Sequence, residues 1–421
     1  MAAAIRANES RSSGFRFAFE RPGEDYRGET PQTLHVGLKL SLVIALTALF
    51  CVTVQAQLTN QFGSSATSSQ PSKEFAYAVN HGSGNISGYA INGNTGALSA
   101  IAGSPFPAGG SPSSIAVDPL GRFAYVANYS SNNILAYRVN RTTGALTPVL
   151  GSPFSQPGGP WSVAVDPKGQ FMYVSSILAN TISAYRINVL TGALTEIAGS
   201  PFPSGTGPIS VMLAPSGRFA YVANYQSNNI SAYSVQADGR FVPLPGSPYD
   251  AAGEPYSLAV HPLGVFLYAA SASGKKHAYK MDSSTGSLSP VTGSPFTVGD
   301  WALAVTVEPS GHFLYAAAGL NATYDTPGYL AGYLIDPASG GLTAMSAGPF
   351  PTGIAPWCVV ADTSGQYVYA ANALITSSNI SAFTMDATTG SLTPVTGSPF
   401  PAGSNPFGMA IVKIPQVAAL P

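Results

Sequence analysis

Short runs of apolar residues, four to a unit, alternate with polar turns along most of the chain. In the stretch from Ser114 to Phe154 the runs are Ser114–Asp118, Phe123–Asn128, Ile134–Asn140 and Leu146–Gly151. Val, Ile, Tyr and Phe fill the runs, whereas Gly, Pro, Asn and Asp fill the intervening turns DPLG, SSNN and RTTG. This pattern predicts four short antiparallel β-strands in each unit.

The tetrapeptide GSPF, or a close variant of it, ends every unit and so counts the repeat. Its proline stands at Pro105, Pro153, Pro201, Pro248, Pro295, Pro349 and Pro399. Successive prolines are 48, 48, 47, 47, 54 and 50 residues apart. A four-stranded unit of about 40–50 residues is typical of a β-propeller blade. Seven markers therefore predict seven blades.

The two ends of the repeat region complement each other. The first unit begins at Phe75 with the second run of the motif, and the last marker is followed by one extra first run, Phe407–Ile414. Three strands from the start and one from the end complete a single blade, which closes the ring and leaves only short sheet edges. We predict an all-β protein, a closed seven-bladed β-propeller of four-stranded antiparallel blades over residues 75–415.

The residues before the propeller predict export. Lys39 precedes an apolar run from Leu40 to Val54, and Val54-Gln55-Ala56 offers a small-residue cleavage site, so residues 1–56 are interpreted as an N-terminal extension with a signal peptide. Residues 57–74 are a polar, flexible linker. The apolar run is shorter than the about 20 residues of a transmembrane helix. We expect an extracytoplasmic protein, and an uncleaved signal anchor is the only membrane contact that the sequence suggests.

Charge is scarce, which narrows the class of partner. Residues 1–56 hold six of the 18 Lys and Arg and five of the 19 Asp and Glu, which leaves 12 basic and 14 acidic side chains. No basic field remains to hold a phosphate backbone, so we expect no nucleic-acid partner. The five histidines are scattered, so we expect neither a metal site nor a cofactor. Cys358 is interpreted as a buried small hydrophobe on an inner strand, and the protein as a monomer.

One repeated position is rich in aromatic residues. It follows the residue that opens each inner strand and is occupied by Ser113, Trp161, Ile209, Tyr256, Trp301, Trp357 and Phe407. Its aromatic members predict a channel mouth on the GSPF side, or top face, that binds a small-molecule, glycan or peptide ligand. The candidate ligand-binding residues are Trp161, Tyr256, Trp301, Trp357 and Phe407. The alternative is a hydrophobic plug that closes the channel.

Polar side chains gather near this mouth in the fifth and sixth units. They are Asp250, Glu254, Lys275, Lys276, His277, Asp300 and Asp325. Glu254, Asp300 and Lys275 are the candidates for catalysis, because two carboxylates beside a lysine can serve as a general acid/base set. The alternative is a solvated rim whose charges keep this face soluble.

Several segments resemble the YVTN-type repeats of the seven-bladed β-propeller lactonases. They are FAYVANY, FMYVSS, YVANYQSNNISAY and the DPxGRF turn. The best-known activity of that family is 6-phosphogluconolactonase, the hydrolysis of a sugar-acid lactone. The resemblance implies the propeller fold over the whole repeat region, and it implies a lactonase if the protein is an enzyme.

The resemblance transfers no catalytic residue. Lactonases of this group look to carry Pro-His where the chain enters an inner strand. The corresponding pairs here are Pro112-Ser113, Pro160-Trp161, Pro208-Ile209, Pro255-Tyr256, Asp300-Trp301, Pro356-Trp357 and Pro406-Phe407. None contains histidine. The sequence therefore favours a ligand-binding or protein-binding module, with a sugar-lactone hydrolase and a structural cell-surface repeat protein as alternatives.

Overall fold

Seven antiparallel sheets build the described part of the protein. The computed structural model describes residues 73–297, 301–320, 327–374 and 377–415, and no α-helix occurs within these ranges. The prediction of an all-β, seven-bladed β-propeller is confirmed. No helix in these ranges is long and apolar enough to cross a bilayer. The predicted signal peptide, nearly all of the predicted linker, Asp300 and Asp325 lie outside the described residues.

Each blade has three long strands, counted outward from the central channel. The innermost strands are β5 (Pro112–Val117), β10 (Pro160–Val165), β15 (Pro208–Leu213), β20 (Pro255–Val260), β25 (Trp301–Val307), β30 (Pro356–Ala361) and β35 (Pro406–Lys413). The second strands are β1 (Glu74–Asn80), β6 (Phe123–Asn128), β11 (Phe171–Ser176), β16 (Phe219–Asn224), β21 (Phe266–Ser271), β26 (Phe313–Leu320) and β31 (Tyr367–Asn372). The third strands are β2 (Asn85–Ile91), β7 (Asn133–Val139), β12 (Thr181–Ile187), β17 (Asn229–Val235), β22 (Lys275–Met281), β27 (Pro327–Ile335) and β32 (Asn379–Met385).

Two short strands finish each blade, and both pair with the third strand. The fourth, outermost strands are β3 (Leu98–Ala100), β8 (Leu146–Pro148), β13 (Leu194–Glu196), β18 (Phe241–Pro243), β23 (Leu288–Pro290), β28 (Leu342–Ala344) and β33 (Leu392–Pro394). The fifth strands, formed by the end of the GSPF motif, are β4 (Phe106–Pro107), β9 (Phe154–Ser155), β14 (Phe202–Pro203), β19 (Tyr249–Asp250), β24 (Phe296–Thr297), β29 (Phe350–Ile354) and β34 (Phe400–Pro401). The sequence pattern did not reveal this fifth strand.

The ring closes as the two chain ends predict. Strand β35 pairs antiparallel with β1, from Glu74 opposite Lys413 to Asn80 opposite Pro406. Blade 1 therefore contains β35, β1, β2, β3 and β4, and blades 2 to 7 follow in chain order with five strands each. Because β35 is inserted between β1 and the channel, no innermost strand is missing from the ring.

A repeated hydrogen bond joins each blade to the next. The tyrosine of the second strand donates its hydroxyl proton to the carbonyl of the glycine in the following blade's outer turn, at 2.6 to 3.1 Å. The seven pairs are Tyr77–Gly144, Tyr125–Gly192, Tyr173–Gly239, Tyr221–Gly286, Tyr268–Gly340, Tyr315–Gly390 and Tyr369–Gly96. The last pair crosses from blade 7 to blade 1. The sequence motifs FxY and TG therefore recur together because they meet across every blade interface.

Two features of this contact require glycine at the acceptor position. Gly192 has a φ of +80°, which L side chains rarely adopt. A Cβ there would also lie 2.4 Å from the ring of Phe123 in the preceding blade. Both the backbone conformation and the close approach of the ring therefore exclude a side chain at this point.

A bulge marks the top of the innermost strands. In blade 3 Pro160 pairs with Ser176 and Ser162 pairs with Ser175, so Trp161 between them has no partner in the ladder. The same shift occurs in blades 1, 2, 4, 5 and 7. A bulge redirects one side chain out of the regular alternation. We call the bulged residue of each blade its ring position.

Candidate functional site

The ring position holds the aromatic set that the sequence singles out, with one correction. In blade 6, Ala302 pairs with Ala318 and Ala304 pairs with Ala317, so the bulged residue is Leu303. The prediction that Trp301 occupies this position was wrong by two residues. Blade 6 lacks the proline that opens the other inner strands, and its strand starts earlier, with Trp301 opposite Leu320. The register of a strand is set by its pairing with the neighbouring strand. The sequence comparison aligned Trp301 with the ring position because that position holds tryptophan in blades 3 and 7.

The ring residues are buried. Trp161 and Tyr256 are 0% exposed, Phe407 is 3% and Trp357 is 4% exposed. They pack on aromatic neighbours: Trp357 stacks on Phe407 with 5.2 Å between ring centroids. Trp161 meets the edge of Tyr129 at 5.2 Å. Because no face of these four rings is open to solvent, the geometry favours the plug over an aromatic mouth at this level, and their contact with a ligand stays a prediction.

The residue two places before each ring position lies nearer the top face, and we call it the rim position. From blade 2 round to blade 1 it is Ser111, Gly159, Gly207, Glu254, Trp301, Ala355 and Asn405. Apart from Trp301, these residues have φ between 52° and 69°. Five of the seven side chains are absent or small. The two large ones, Glu254 and Trp301, are half-buried and stand on blades 5 and 6, whose innermost strands are neighbours.

The backbone around Glu254 is held by its neighbours in blades 4 and 5. The side-chain oxygen of Asn228 accepts the N–H of Glu254 at 2.7 Å and that of Gly253 at 3.2 Å. The carbonyl of Glu254 accepts the N–H of Ala272 at 3.1 Å. These bonds fix a left-handed conformation, with φ of 64°, that costs about 1 kcal/mol or more for a residue other than glycine. Glycine fills the same position in blades 3 and 4.

The carboxyl group of Glu254 is electrostatically unusual. Burial raises the pKa of Glu254 above its ordinary value, and a hydrogen bond from the Tyr225 hydroxyl partly offsets that rise. Tyr225 in turn meets the ring of Tyr256 edge-on at 4.8 Å. The buried ring residue thus supports the tyrosine that orients the rim carboxyl. A half-buried carboxyl with a raised pKa in a cleft is a candidate proton acceptor.

Of the other two predicted catalytic residues, the structure describes Lys275. Lys275 begins β22 and is exposed, opposite Thr297. Among the described residues the ion pairs are Arg122–Asp118 and Arg240–Asp238, so Lys275 forms none with Glu254. Asp300 and Asp325 lie outside the described residues. Of the predicted acid/base set the structure therefore describes Glu254 and the exposed Lys275, and their role in catalysis stays a prediction.

The sequence analysis named Lys276 among the polar side chains near the mouth but did not reveal its burial, and it gave His81 no role. Lys276 is 0% exposed, and burial lowers its pKa to about 8. It stands where the other third strands have Ile or Leu, and aligning the repeats by strand register would have found it. His81 stacks on Phe407 at 4.3 Å, and burial lowers the pKa of His81 to about 4. Its neutral ring therefore belongs to the plug at neutral pH.

The described ranges hold no cluster of three or more His, Cys, Asp or Glu that could bind a metal ion. Cys358 is 0% exposed on innermost strand β30 and packs within an apolar cluster, and the described residues contain no free cysteine. The chemistry that the described site offers is therefore that of one carboxyl group, one indole ring and the polar backbone around them.

Comparison with known proteins decides the family. The family model "Lactonase, 7-bladed beta-propeller" matches residues 45–158, 154–300 and 293–406. The chain belongs to the seven-bladed β-propeller lactonase family. No curated protein matches it.

Solved structures of lactonase-like propellers share the fold. A candidate 6-phosphogluconolactonase from Bacteroides fragilis is 20% identical, with a TM-score of 0.69 over 82% of this chain and 100% of that one. A second, from Bacteroides uniformis, is 21% identical, with a TM-score of 0.66 and the same coverage. The periplasmic gluconolactonase of Pseudomonas aeruginosa is 18% identical, with a TM-score of 0.64 and again the same coverage.

The ring positions of this lactonase-family propeller differ from the pattern that the family resemblance implies. With the ring position of blade 6 corrected to Leu303, still none of the seven ring positions carries histidine. The Pro-His pair that the family resemblance leads one to expect is absent from every blade. Among the seven rim residues, Glu254 is the one with a titratable side chain.

Proposed function

We propose that this lactonase-family propeller binds a hydroxylated ring compound, a sugar or sugar-acid lactone, at the corner of the rim formed by Glu254 and Trp301. One observation carries the proposal. The two large rim residues stand at equivalent positions of adjacent blades, whereas Ser, Gly, Gly, Ala and Asn fill the other five positions. Small residues on the rest of the rim leave room above the plug for a ligand.

The two side chains suit such a ligand by complementary chemistry. The face of an indole packs well against the apolar face of a sugar ring, and a carboxylate accepts hydrogen bonds from hydroxyl groups. Trp301 is half-buried, so part of its ring is available to a ligand, unlike the rings of Trp161 and Tyr256. The floor beneath this corner is the plug itself, which gives the site a rigid, apolar base.

The charge distribution favours a ligand without phosphate. Recognition of phosphate usually employs Arg or Lys. The six arginines after residue 56 are Arg122, Arg138, Arg141, Arg186, Arg218 and Arg240, and all lie in blades 2 to 4. Among the described residues, Lys275 is the exposed basic group of blade 5 nearest the corner in sequence. A neutral sugar lactone therefore fits better than its 6-phosphate, in keeping with the proposed export.

Titration calorimetry with 1,5-anhydroglucitol, a stable sugar ring, tests the binding site. Wild-type protein should bind it saturably. Glu254→Gln, which keeps the shape but removes the charge, should bind about tenfold more weakly, equivalent to about 1.4 kcal/mol. Ser111→Ala, a matched rim variant on blade 2, should bind like wild type. Equal affinity of all three proteins, or no saturable binding by wild type, would refute the site.

Lactone hydrolysis is the second candidate, favoured by the raised pKa of Glu254. In this mechanism the carboxylate takes a proton from water as the water oxygen bonds to the lactone carbonyl carbon. The ring C–O bond then breaks, and the alkoxide takes the proton back from Glu254, giving the open hydroxy acid. The reaction consumes one water and requires no other reactant.

A pH-stat assay with glucono-1,5-lactone separates binding from hydrolysis. If Glu254 is a general base, the rate above the spontaneous rate should rise as pH increases through its raised pKa, because only the carboxylate accepts a proton. Glu254→Gln should lower kcat about 100-fold or more. A wild-type rate equal to the spontaneous rate would leave binding as the function and exclude the hydrolase.

A further inference from the structure

The two halves of the face opposite the rim carry opposite charge. We call it the bottom face: each blade places there the turn between its first and second strands and the turn between its third and fourth strands. In blades 2 to 4 the basic side chains in or beside these turns are Arg122, Arg138, Arg141, Lys168, Arg186, Arg218 and Arg240, and the acidic ones are Asp118, Asp166, Glu196 and Asp238. This half of the face has a net charge of +3.

Blades 5 to 7 carry the opposite charge at the same end. The acidic side chains in or beside their turns are Asp282, Glu308, Asp336, Asp362 and Asp386, and the basic one is Lys280. The net charge of this half is −4. The net charge of the whole chain is only −1, so the bottom face separates charges that nearly cancel over the molecule.

The turns themselves do not require the negative charge. After each third strand except that of blade 4, a side-chain oxygen accepts two backbone N–H groups of the turn at 2.7 to 3.2 Å. The oxygen belongs to Asn92, Asn140 and Asn188 in blades 1 to 3 and to Asp282, Asp336 and Asp386 in blades 5 to 7. Because asparagine and aspartate accept the same two hydrogen bonds, the fold does not decide between them.

The three aspartates are charged and accessible. All three are exposed, and hydrogen bonds from the turn residues lower the pKa of each carboxyl group. They are therefore ionised at neutral pH. A charge that the fold does not need, repeated on three successive blades, points to a partner with basic groups.

The arginines of the other half are held in place at the surface. The guanidinium of Arg186 lies 4.9 Å from the ring centre of Phe171, and that of Arg138 lies 5.2 Å from the ring centre of Phe123. Arg138 also donates to the carbonyl of Leu190 at 2.8 Å. Both are exposed, and neither forms an ion pair among the described residues. Since a guanidinium has five N–H donors, both retain donors for a carboxylate.

Exposed apolar side chains lie on the same face. Leu190 is 78% exposed and Leu263 is 77% exposed, and both stand in bottom turns, with the less exposed Val189 and Leu120 in the same or an equivalent turn. Covering such side chains removes apolar surface from water, which favours association. The bottom face therefore offers both the apolar and the charged groups of a protein interface.

We propose that the bottom face binds the bottom face of a second copy of this chain. A two-fold axis that runs along the interface beneath blade 1 would place blades 2, 3 and 4 over blades 7, 6 and 5 of the second copy, so that each basic half meets an acidic half. A face divided in this way is complementary to itself, whereas a uniformly charged ligand would match only half of it. The proposal departs from the monomer that the sequence analysis expects.

This dimer leaves both rims uncovered, since the rim lies at the opposite end of each propeller. It does not depend on the function proposed for Glu254 and Trp301.

Sedimentation equilibrium of the purified protein tests the dimer. The wild type should be dimeric in about 50 mM NaCl, and about 500 mM NaCl should weaken the association at least tenfold, because salt screens exposed charges. Asp336→Asn, which keeps the hydrogen bonds of the turn as Asn188 does, should weaken it several-fold. Asp250→Asn, which removes an exposed carboxylate from a top-face strand, should dimerise like wild type.

Mixing two variants tests whether opposite halves meet. Asp282→Asn/Asp336→Asn/Asp386→Asn and Arg138→Gln/Arg186→Gln should each associate at least tenfold more weakly than wild type. Their mixture should associate more tightly than either variant alone, because the basic half of the first still meets the acidic half of the second. Urea unfolding checks that both variants are folded.

The contrary results are equally distinct. A monomeric wild type would overturn the proposal, whether or not its basic half binds vesicles of anionic lipid. A dimer that resists both salt and the variants would show that another surface forms it. A mixture that associates no better than its components would refute the pairing of basic with acidic halves.

Discussion

Blades 2 and 3 and blades 5 and 6 have the same strands in the same order, yet four side chains differ at three equivalent positions. The rim position is Ser111 or Gly159 in the first pair and Glu254 or Trp301 in the second. At the third-strand position where blades 2 and 3 have isoleucine, blade 5 has Lys276, and the GSPF serine of both becomes Gly348 in blade 6. All four departures fall on two adjacent blades.

This difference distinguishes the residues that the fold requires from those that form the proposed site. Blades 2 and 3 repeat the residues that every blade interface requires, such as Tyr125 and Gly192, which meet across it. Blades 5 and 6 keep those contacts, through Tyr268 and Tyr315, and depart only where the interface does not depend on the residue type. Loops and edges of a rigid fold can change in this way without loss of the fold. The binding chemistry that we propose for the rim lies among these departures.

The largest expected effect tests whether the buried ring residue of blade 3 stabilises the fold. Trp161→Ala removes a fully buried indole and should lower the free energy of unfolding by about 3–5 kcal/mol. Trp161→Phe, which keeps most of the packing, should cost clearly less. Urea unfolding followed by circular dichroism measures both. A loss below about 1 kcal/mol in Trp161→Ala would mean that the ring is loosely packed, and the plug would have to be abandoned.

A smaller effect tests the buried lysine of blade 5. The folded-state pKa of Lys276 is about 8, below the pKa of 10.5 that a lysine has in the unfolded chain. Between these values the unfolded state binds more protons, so stability should rise with pH, by about 2 kcal/mol from pH 8 to 9.5. Burial also raises the pKa of Tyr125 and other tyrosines, which lowers stability at higher pH. The measurement therefore ends at pH 9.5.

Lys276→Ile, which copies Ile182 of blade 3, is the matched variant. Its unfolding free energy should lose the rise between pH 8 and 9.5 and exceed that of wild type at pH 7. Urea unfolding at half-unit pH steps measures both proteins. An identical pH profile for the two would show that Lys276 keeps an ordinary pKa.

The smallest expected effect concerns the GSPF serine. Ser152→Ala removes the oxygen that accepts the N–H of Ala136 at 3.0 Å and should cost about 1 kcal/mol. In blade 6 the direction should reverse, so that Gly348→Ser is more stable than Gly348→Ala by a similar amount. Thermal unfolding of the four proteins compares the pairs. If serine brings no gain at position 348, the amide of Gly332 does not face that side chain.

The fold was predictable because its determinants are local and repeated. The run Phe123–Asn128 coincides with β6, since alternating apolar residues between glycine and asparagine turns specify a strand. Closure followed from counting strands at the two ends. The Tyr–Gly contacts were visible only as separate motifs, because the two residues of a pair are far apart in the chain, 67 residues for Tyr125 and Gly192.

The site was predictable only in part. Glu254 was selected by its place near an inner strand, and the structure adds the hydrogen bond from Tyr225 and the left-handed backbone. Trp301 was selected for the wrong position, because the register of β25 depends on pairing with β26. The burial of Trp161 and Tyr256 could not be deduced either, since an aromatic residue in a repeat fits a plug and a binding surface equally well.

The affinity of Trp301→Ala for 1,5-anhydroglucitol tests the central claim most directly, measured together with its free energy of unfolding. If the rim corner of blades 5 and 6 is the binding site, the affinity should fall at least tenfold, while stability changes by less than about 1 kcal/mol because the residue is only half-buried. Wild-type affinity in Trp301→Ala would contradict the assignment of the site to this corner.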